Sequence, residues 1–345
     1  MSVVRKLFGI CRNGEEVESL TLRCGNMEAE ILTYGGIVRT LRVPDKHGNC
    51  IDVVLGYSCM DGYINNDGYV GALVGRYANR IKNAHCVIDG KTIPLLPNES
   101  NNQLHGGPDG FSFRVFSAEI VGDSAIRLTY TAADGEEGYP GKLTVSATYT
   151  LTEHSLILRY EAESDKPTYC NLTNHSYFNL NGEGTVLDHT LMIPAHQFTP
   201  VDAQSIPTAM AADVSGTAFD FTAEKPIGRD IGADETQLHL TRGYDHNFVL
   251  DAAQGLRLAA RLTGDKSGIV METWTEKPGV QVYSGNYLGT TDQTKSGIPY
   301  QKRDAICLET QFFPDSPNHP EWGDILLRPG KRYDYTTEFR FSTVQ

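Results

Sequence analysis

The sequence predicts a single all-β domain over residues 1–345, made of half-buried strands joined by long loops, with few short helices. Three observations predict it. Apolar and polar residues alternate with period two through most of the chain, the spacing that sends successive side chains to opposite faces of a strand. The 34 glycines and 16 prolines are spread along the whole length, which marks many turns rather than long helices. No window sustains a helical period, and no fixed repeat, low-complexity block or Pro/Ser-rich linker divides the chain.

The strands follow in order. Ile126, Leu128 and Tyr130 alternate with Arg127, Thr129 and Thr131, and Leu143, Val145, Ala147, Tyr149 and Leu151 alternate with small polar residues. Leu156, Leu158 and Tyr160 repeat the pattern, and the polar connection 152–155 makes the two runs a hairpin. Leu256, Leu258, Ala260 and Leu262 are expected on one face and Arg257, Ala259 and Arg261 on the other, before a glycine-bounded turn at 264–268 and a strand at 269–275. Residues 333–341 close the chain with Tyr333, Tyr335, Thr337, Phe339 and Phe341 on one face. Short helical turns are expected only near 233–239 and 300–304.

Composition excludes several partner classes. A formal net charge of −13 repels phosphate backbones and anionic bilayers, so neither nucleic acid nor membrane is an expected partner. Residues 1–11 lack the apolar run of a signal peptide, and no later segment is long and apolar enough to span a bilayer, so the expected compartment is the cytoplasm. Seven cysteines without Cys-x-x-Cys spacing point to reduced thiols rather than a disulfide framework or a zinc knuckle.

The chemistry concentrates in a few stretches. Residues 171–180 read Asn-Leu-Thr-Asn-His-Ser-Tyr-Phe-Asn-Leu, poor material for a core strand but suited to gripping a polyhydroxylated ligand. His175 at its centre reads equally as a general acid or base and as a satisfied buried histidine. The glycine-rich loop 98–111 carries His105 ahead of two glycines that let backbone approach a ligand. Asn79 and Arg80 offer paired donors, with plain surface charge as the alternative for Arg76 or Arg80. In the strand 304–313, Ile306, Leu308, Thr310 and Phe312 form one face, leaving Cys307, Glu309 and Gln311 on the other. A carboxylate in so apolar a strand costs free energy unless paired, so Glu309 points to function. Val280 and Val282 face the core and Gln281 and Tyr283 do not, while Asp245 stands at the mouth of a further strand.

Five motifs in order carry a resemblance: Gly75-Arg-Tyr-Ala-Asn-Arg-Ile81, Asn102-Gln-Leu-His-Gly-Gly107, the stretch 171–180, Gly243-Tyr-Asp-His-Asn-Phe248, and the run from Leu308-Glu-Thr-Gln to His319. Together they make the chain resemble the aldose 1-epimerase (galactose mutarotase) family. The resemblance implies a large antiparallel β-sandwich of the galactose mutarotase-like supersandwich type, with an open sugar groove on one sheet. It implies His175 as general acid, Glu309 as general base, and Asn79, Arg80, His105, Tyr177, Asp245 and Gln281 as sugar-binding residues. The expected reaction is interconversion of the α and β anomers of free aldohexoses such as galactose and glucose. No cofactor and no metal is implied, the partner is a small sugar, and the expected assembly is a monomer or weak homodimer. A glycoside-acting enzyme using Asp245 and Glu309, and a non-catalytic sugar-binding protein, are the competing readings.

Overall fold

Alternation along the strands becomes two large antiparallel sheets packed face to face. The computed structural model describes residues 2–65, 68–289 and 293–344. One sheet has nine strands in the order Ser117–Gly122, Ala125–Ala132, Leu143–Leu151, Ser155–Ser164, Tyr333–Thr343, Ile269–Thr275, Arg257–Thr263, Thr190–Met192 and Lys225–Pro226. The other has six: Tyr177–Phe178, Ile306–Gln311, Gly279–Tyr283, Asp245–Val249, Gln197–Phe198 and Ala212–Asp213. A five-stranded sheet of consecutive strands from Ser2–Ile10 to Cys50–Asp52 joins the same core through Leu20, Leu22, Ile31 and Leu41. This is the expected all-β antiparallel sandwich.

The inner faces hold it together. Leu308, Val280, Val282 and Phe248 of the six-stranded sheet share a buried cluster with Leu158, Met271 and Phe339 of the nine-stranded sheet. Removing each such side chain from water contributes roughly 1.5–3 kcal/mol. Phe178 and Phe339 meet across the gap with ring centroids 5.0 Å apart, and the Thr310 and Thr337 hydroxyls hydrogen-bond at 2.5 Å. The expected hairpin between Leu143–Leu151 and Ser155–Ser164 is present, closed by the Thr152 N–H on the Ser155 carbonyl at 2.8 Å.

Three expectations change. Register slips between Leu258, opposite Trp274, and Ala260, opposite Thr273, so the strand bulges. Ala259 and Ala260 are therefore both fully buried, whereas Leu256 is exposed, against the alternation expected there. A helix forms at Thr236–Thr241, close to the expected turn, but 300–304 is not helical and a helix at Met60–Ile64 was not foreseen. The strand at whose mouth Asp245 was expected runs Asp245–Val249, so Asp245 is its first residue.

Lys277 is buried in the wall behind the six-stranded sheet. Its ammonium group lies 4.5 Å from the rings of Phe312 and Tyr333 and 4.6 Å from that of Tyr335. Its polar partners are the Tyr333 hydroxyl and, at 3.4 Å, the Asn171 Oδ1. Burial lowers its pKa to about 7 from the ordinary 10.5. Between those values the unfolded chain holds a proton that the folded chain has lost, so folded stability rises with pH across the window. Lys277→Met is expected to stabilise the fold by about 1–4 kcal/mol at pH 7, as apolar replacements of buried charge commonly do. Urea unfolding should show that advantage shrinking toward pH 10; a destabilised variant at pH 7 would show that the aromatic cage outweighs desolvation.

Candidate active site

Register on the six-stranded sheet sets the site. Glu309 pairs with Gln281, and Gln281 with Asn247, so all three side chains leave the outer face in one row. In the adjacent row Tyr177 pairs with Cys307, Cys307 with Tyr283, and Tyr283 with Asp245. His175 is two residues before Tyr177 and is anchored through its backbone, its N–H on the Ala72 carbonyl at 2.8 Å and its C=O accepting from Gly71 at 2.9 Å. His175 Nε2 lies 3.6 Å from Glu309 Oε1, and His175 Nδ1 lies 3.5 Å from the Cys307 thiol.

Both side chains are buried. Glu309 is 2% exposed and its Oε2 has no hydrogen-bond partner among the described residues. Burial, then the nearby Asp245 carboxylate, push its pKa well above the usual carboxylate range, with Arg80 opposing. Burial lowers the His175 pKa to about 4. Burial thus favours the neutral imidazole, which bears on the expected role of His175 as general acid.

A groove of about 860 Å³ opens over this pair. Asn79, Arg80, His105, His175, Tyr177, Asp245 and Glu309 line it, so seven of the eight expected residues come together. Gln281 lies beneath, its Oε1 accepting from Gln311 at 3.2 Å and its Nε2 donating to Asp245 Oδ1 at 2.7 Å. The Tyr177 hydroxyl donates to the Gly68 carbonyl at 2.9 Å, which leaves its ring as the surface it presents. Arg80 is held by Glu99 in a two-point fork, and Arg76 is buried with its Nη1 on the carbonyls of Pro140 and Gly141, so neither is a plain surface charge.

The asparagines of the stretch 171–180 serve the backbone instead of a ligand. Asn174 Nδ2 donates to the Gly71 carbonyl at 2.9 Å, and Asn179 Nδ2 to the Gly184 and Asp304 carbonyls at 2.7 and 2.8 Å. Asn171 Oδ1 accepts the Phe312 N–H at 3.0 Å. The side chains overlooked from sequence are Tyr69, whose ring is 4.6 Å from that of His105, and Glu99. Only its place in the polar loop could have signalled Glu99.

Ligating atoms of His105, His175 and Glu309 lie within 4.8 Å of one another, which raises the question of a metal. The His105 Nδ1 accepts the Asn79 N–H at 3.2 Å, and burial holds the ring neutral, so its proton resides on Nε2. A ligating Nε2 would have to shed that proton while Nδ1 stays occupied by a donor. His105 is accordingly built as a hydrogen-bond donor, and the trio fits proton chemistry better than metal binding.

The aldose 1-epimerase family model matches residues 18–340. The chain belongs to the aldose 1-epimerase family. It is 41% identical over 347 residues to the galactose mutarotase of Rattus norvegicus, covering 100% of each chain, and 38% identical over 335 residues to the aldose 1-epimerase of Escherichia coli K12, covering 95% of this chain and 96% of that one. Its fold matches the crystal structure of an aldose epimerase homologue from C. elegans with a TM-score of 0.87 at 31% identity, over 95% of this chain and 100% of that one. A galactose 1-epimerase from Lactobacillus acidophilus superposes over the full length of both chains with a TM-score of 0.88 at 28% identity.

The family's His-Gly-Gly segment has a steric reason here. Gly106 sits at φ +88°, and a Cβ there would stand 1.9 Å from the Gly75 carbonyl oxygen. Gly106→Ala is expected to push the loop away and unseat His105, with a loss of at least about 10²-fold in kcat/KM, the scale of an ångström-level misplacement. Polarimetric assay of the purified, folded variant checks this.

Proposed function

We propose that the protein is an aldose 1-epimerase that interconverts the anomers of free, neutral aldohexoses such as galactose and glucose, with Glu309 as general base and His175 as general acid. The observation that carries the assignment is the buried Glu309 carboxyl, whose Oε1 lies 3.6 Å from His175 Nε2 and whose Oε2 has no partner among the described residues, which offers the anomeric hydroxyl an acceptor beside a proton donor. Glu309 takes the O1 proton as His175 protonates the ring oxygen. The C1–O5 bond breaks and an aldehyde forms; rotation about C1–C2 presents its other face. Reclosure with both transfers reversed gives the other anomer.

The remaining residues act on binding and charge. Arg80 and the Nε2–H of His105 donate to hydroxyls or to charge developing at oxygen, while Asp245, oriented by Gln281, accepts. Asn79 seats His105, and the Tyr177 ring forms part of the wall. We place the activity in the cytoplasm and in a monomer or weak homodimer, consistent with seven unpaired cysteines. We also read residues 1–345 as one domain, supported by a core cluster running from Leu20 to Phe341.

Each positioned acid or base contributes roughly 10²–10⁴ in rate. Glu309→Gln and His175→Asn are therefore each expected to lower kcat by at least about 10²-fold while leaving a folded protein. Polarimetry on freshly dissolved α-D-galactose reads this out, and near-wild-type turnover in either variant removes that residue from its role.

The pH dependence follows from the direction of both shifts. On the acid side, the second proton to enter the pair goes to His175, whose lowered pKa puts the limb of kcat/KM near pH 4. On the alkaline side, the pair loses its last proton at the raised pKa of Glu309. A bell is expected with its acid limb displaced below ordinary histidine titration; an acid limb near pH 6.5 contradicts a desolvated His175.

A further inference from the structure

Arg80 is the permanent cation among the described residues that line the groove, and the way it is held bears on substrate choice. Its Nε donates to Glu99 Oε2 at 2.6 Å and its Nη2 to Glu99 Oε1 at 2.7 Å, a parallel two-point fork. The Arg80 side chain is 14% exposed and that of Glu99 36%. Asp245 and Glu309 also act on it from the groove side, and Asp61 lines the same groove. A guanidinium that faced the groove alone would attract any sugar bearing a carboxylate or phosphate.

The loop presenting Glu99 is stiff. Glu99 and Asn102 exchange backbone hydrogen bonds at 3.2 and 2.9 Å, and Asn98 brackets Leu104 with its Oδ1 accepting at 2.7 Å and its Nδ2 donating at 3.0 Å. Leu104 in turn pairs in register with Arg80 itself. The carboxylate is therefore delivered to the guanidinium by the backbone that borders it, and the fork forms without ordering a free loop.

We infer that Glu99 is a specificity-determining residue: by neutralising Arg80 in a fixed fork, it lets the guanidinium donate hydrogen bonds to uncharged sugar hydroxyls while denying the site an attraction for acidic aldoses. This inference rests on the proposed epimerase activity and names its substrate class more narrowly. The groove rejects anions through unbalanced carboxylates, and Glu99 sets that balance. Of the guanidinium donors, the fork occupies Nε and one Nη2 proton, which leaves the Nη1 edge for hydroxyls.

D-Galacturonate is the probe, since it differs from D-galactose by a carboxylate in place of the C6 hydroxymethyl group. Mutarotation of both sugars is followed polarimetrically for the wild type, Glu99→Gln, Glu99→Ala and the charge-retaining Glu99→Asp. The ratio of kcat/KM for galacturonate to that for galactose is expected to rise at least about tenfold in Glu99→Gln and Glu99→Ala, and to stay near the wild-type ratio in Glu99→Asp. KM for galactose is expected to rise in all three as the fork loosens. If both charge-removing variants lose activity on the two sugars in equal proportion, Glu99 is merely structural and the inference falls. If only one of the two folds, its ratio decides. Wild-type protein inert toward galactose would overturn the epimerase reading itself, a separate failure.

Discussion

The constraint on which the site depends is that the Ile306–Gln311 strand is buried on both faces. Leu308 and Thr310 fill the gap between the sheets, and Cys307, Glu309 and Gln311 stand under the groove. A slip of one residue against Gly279–Tyr283 would carry the carboxylate into the apolar core and a leucine into the groove, so the core locks the register that the chemistry needs. The same double burial strips water from Glu309 and makes its proton affinity high. Packing and reactivity thus come from one alternation.

The strands supply rows of side chains, but the groove also needs irregular backbone, and buried backbone needs partners. Amide side chains provide them. Asn171 ties the segment after Glu309 to the chain before Asn79, through Phe312 N–H on one side and the Ala78 carbonyl on the other. Asn174 fastens the His175 segment to Gly71, and Asn179 fastens the same segment to the turn that precedes Glu309's strand. His175 and Glu309 come from segments far apart in sequence, and these side-chain bridges fix one relative to the other. Such bridging maintains the separation of the two side chains that the proposed proton transfers need.

This division explains what could be read without coordinates. Hairpins such as Leu143–Leu151 with Ser155–Ser164 were legible because apolar and polar residues contrast at period two. Ala259 and Ala260 carry no such contrast, and the bulge there was invisible. Glu309 stood out because a carboxylate between apolar neighbours is a local anomaly, whereas the partnership of Gln281 with Asp245 depends on register between strands. The stretch 171–180 reads as suited to a polyhydroxylated ligand because an asparagine's donors and acceptor suit a sugar and a carbonyl equally well, yet Asn174 and Asn179 serve carbonyls. Glu99 was overlooked because its significance lies in Arg80, and the pairing of Leu104 with Arg80 that brings them together is not local.

Burial also tunes the pair in a direction that suits a reversible reaction. In water an imidazole holds a proton more tightly than a carboxylate by about two pK units, so the proton would rest on histidine. Inside the groove burial brings the imidazole down to about 4 and lifts the carboxyl well above its ordinary value, and the order of affinities reverses. A sugar hydroxyl donating to Glu309 Oε2 stabilises the carboxylate and moves the two affinities back toward each other. In the proposed reaction the same two groups open and close both anomers, so each transfer runs in either direction within one catalytic cycle. A proton held strongly by either partner would speed one direction of each transfer and slow the other. The pair is serviceable because desolvation opposes charge on both partners and the substrate's own hydrogen bonds supply the difference.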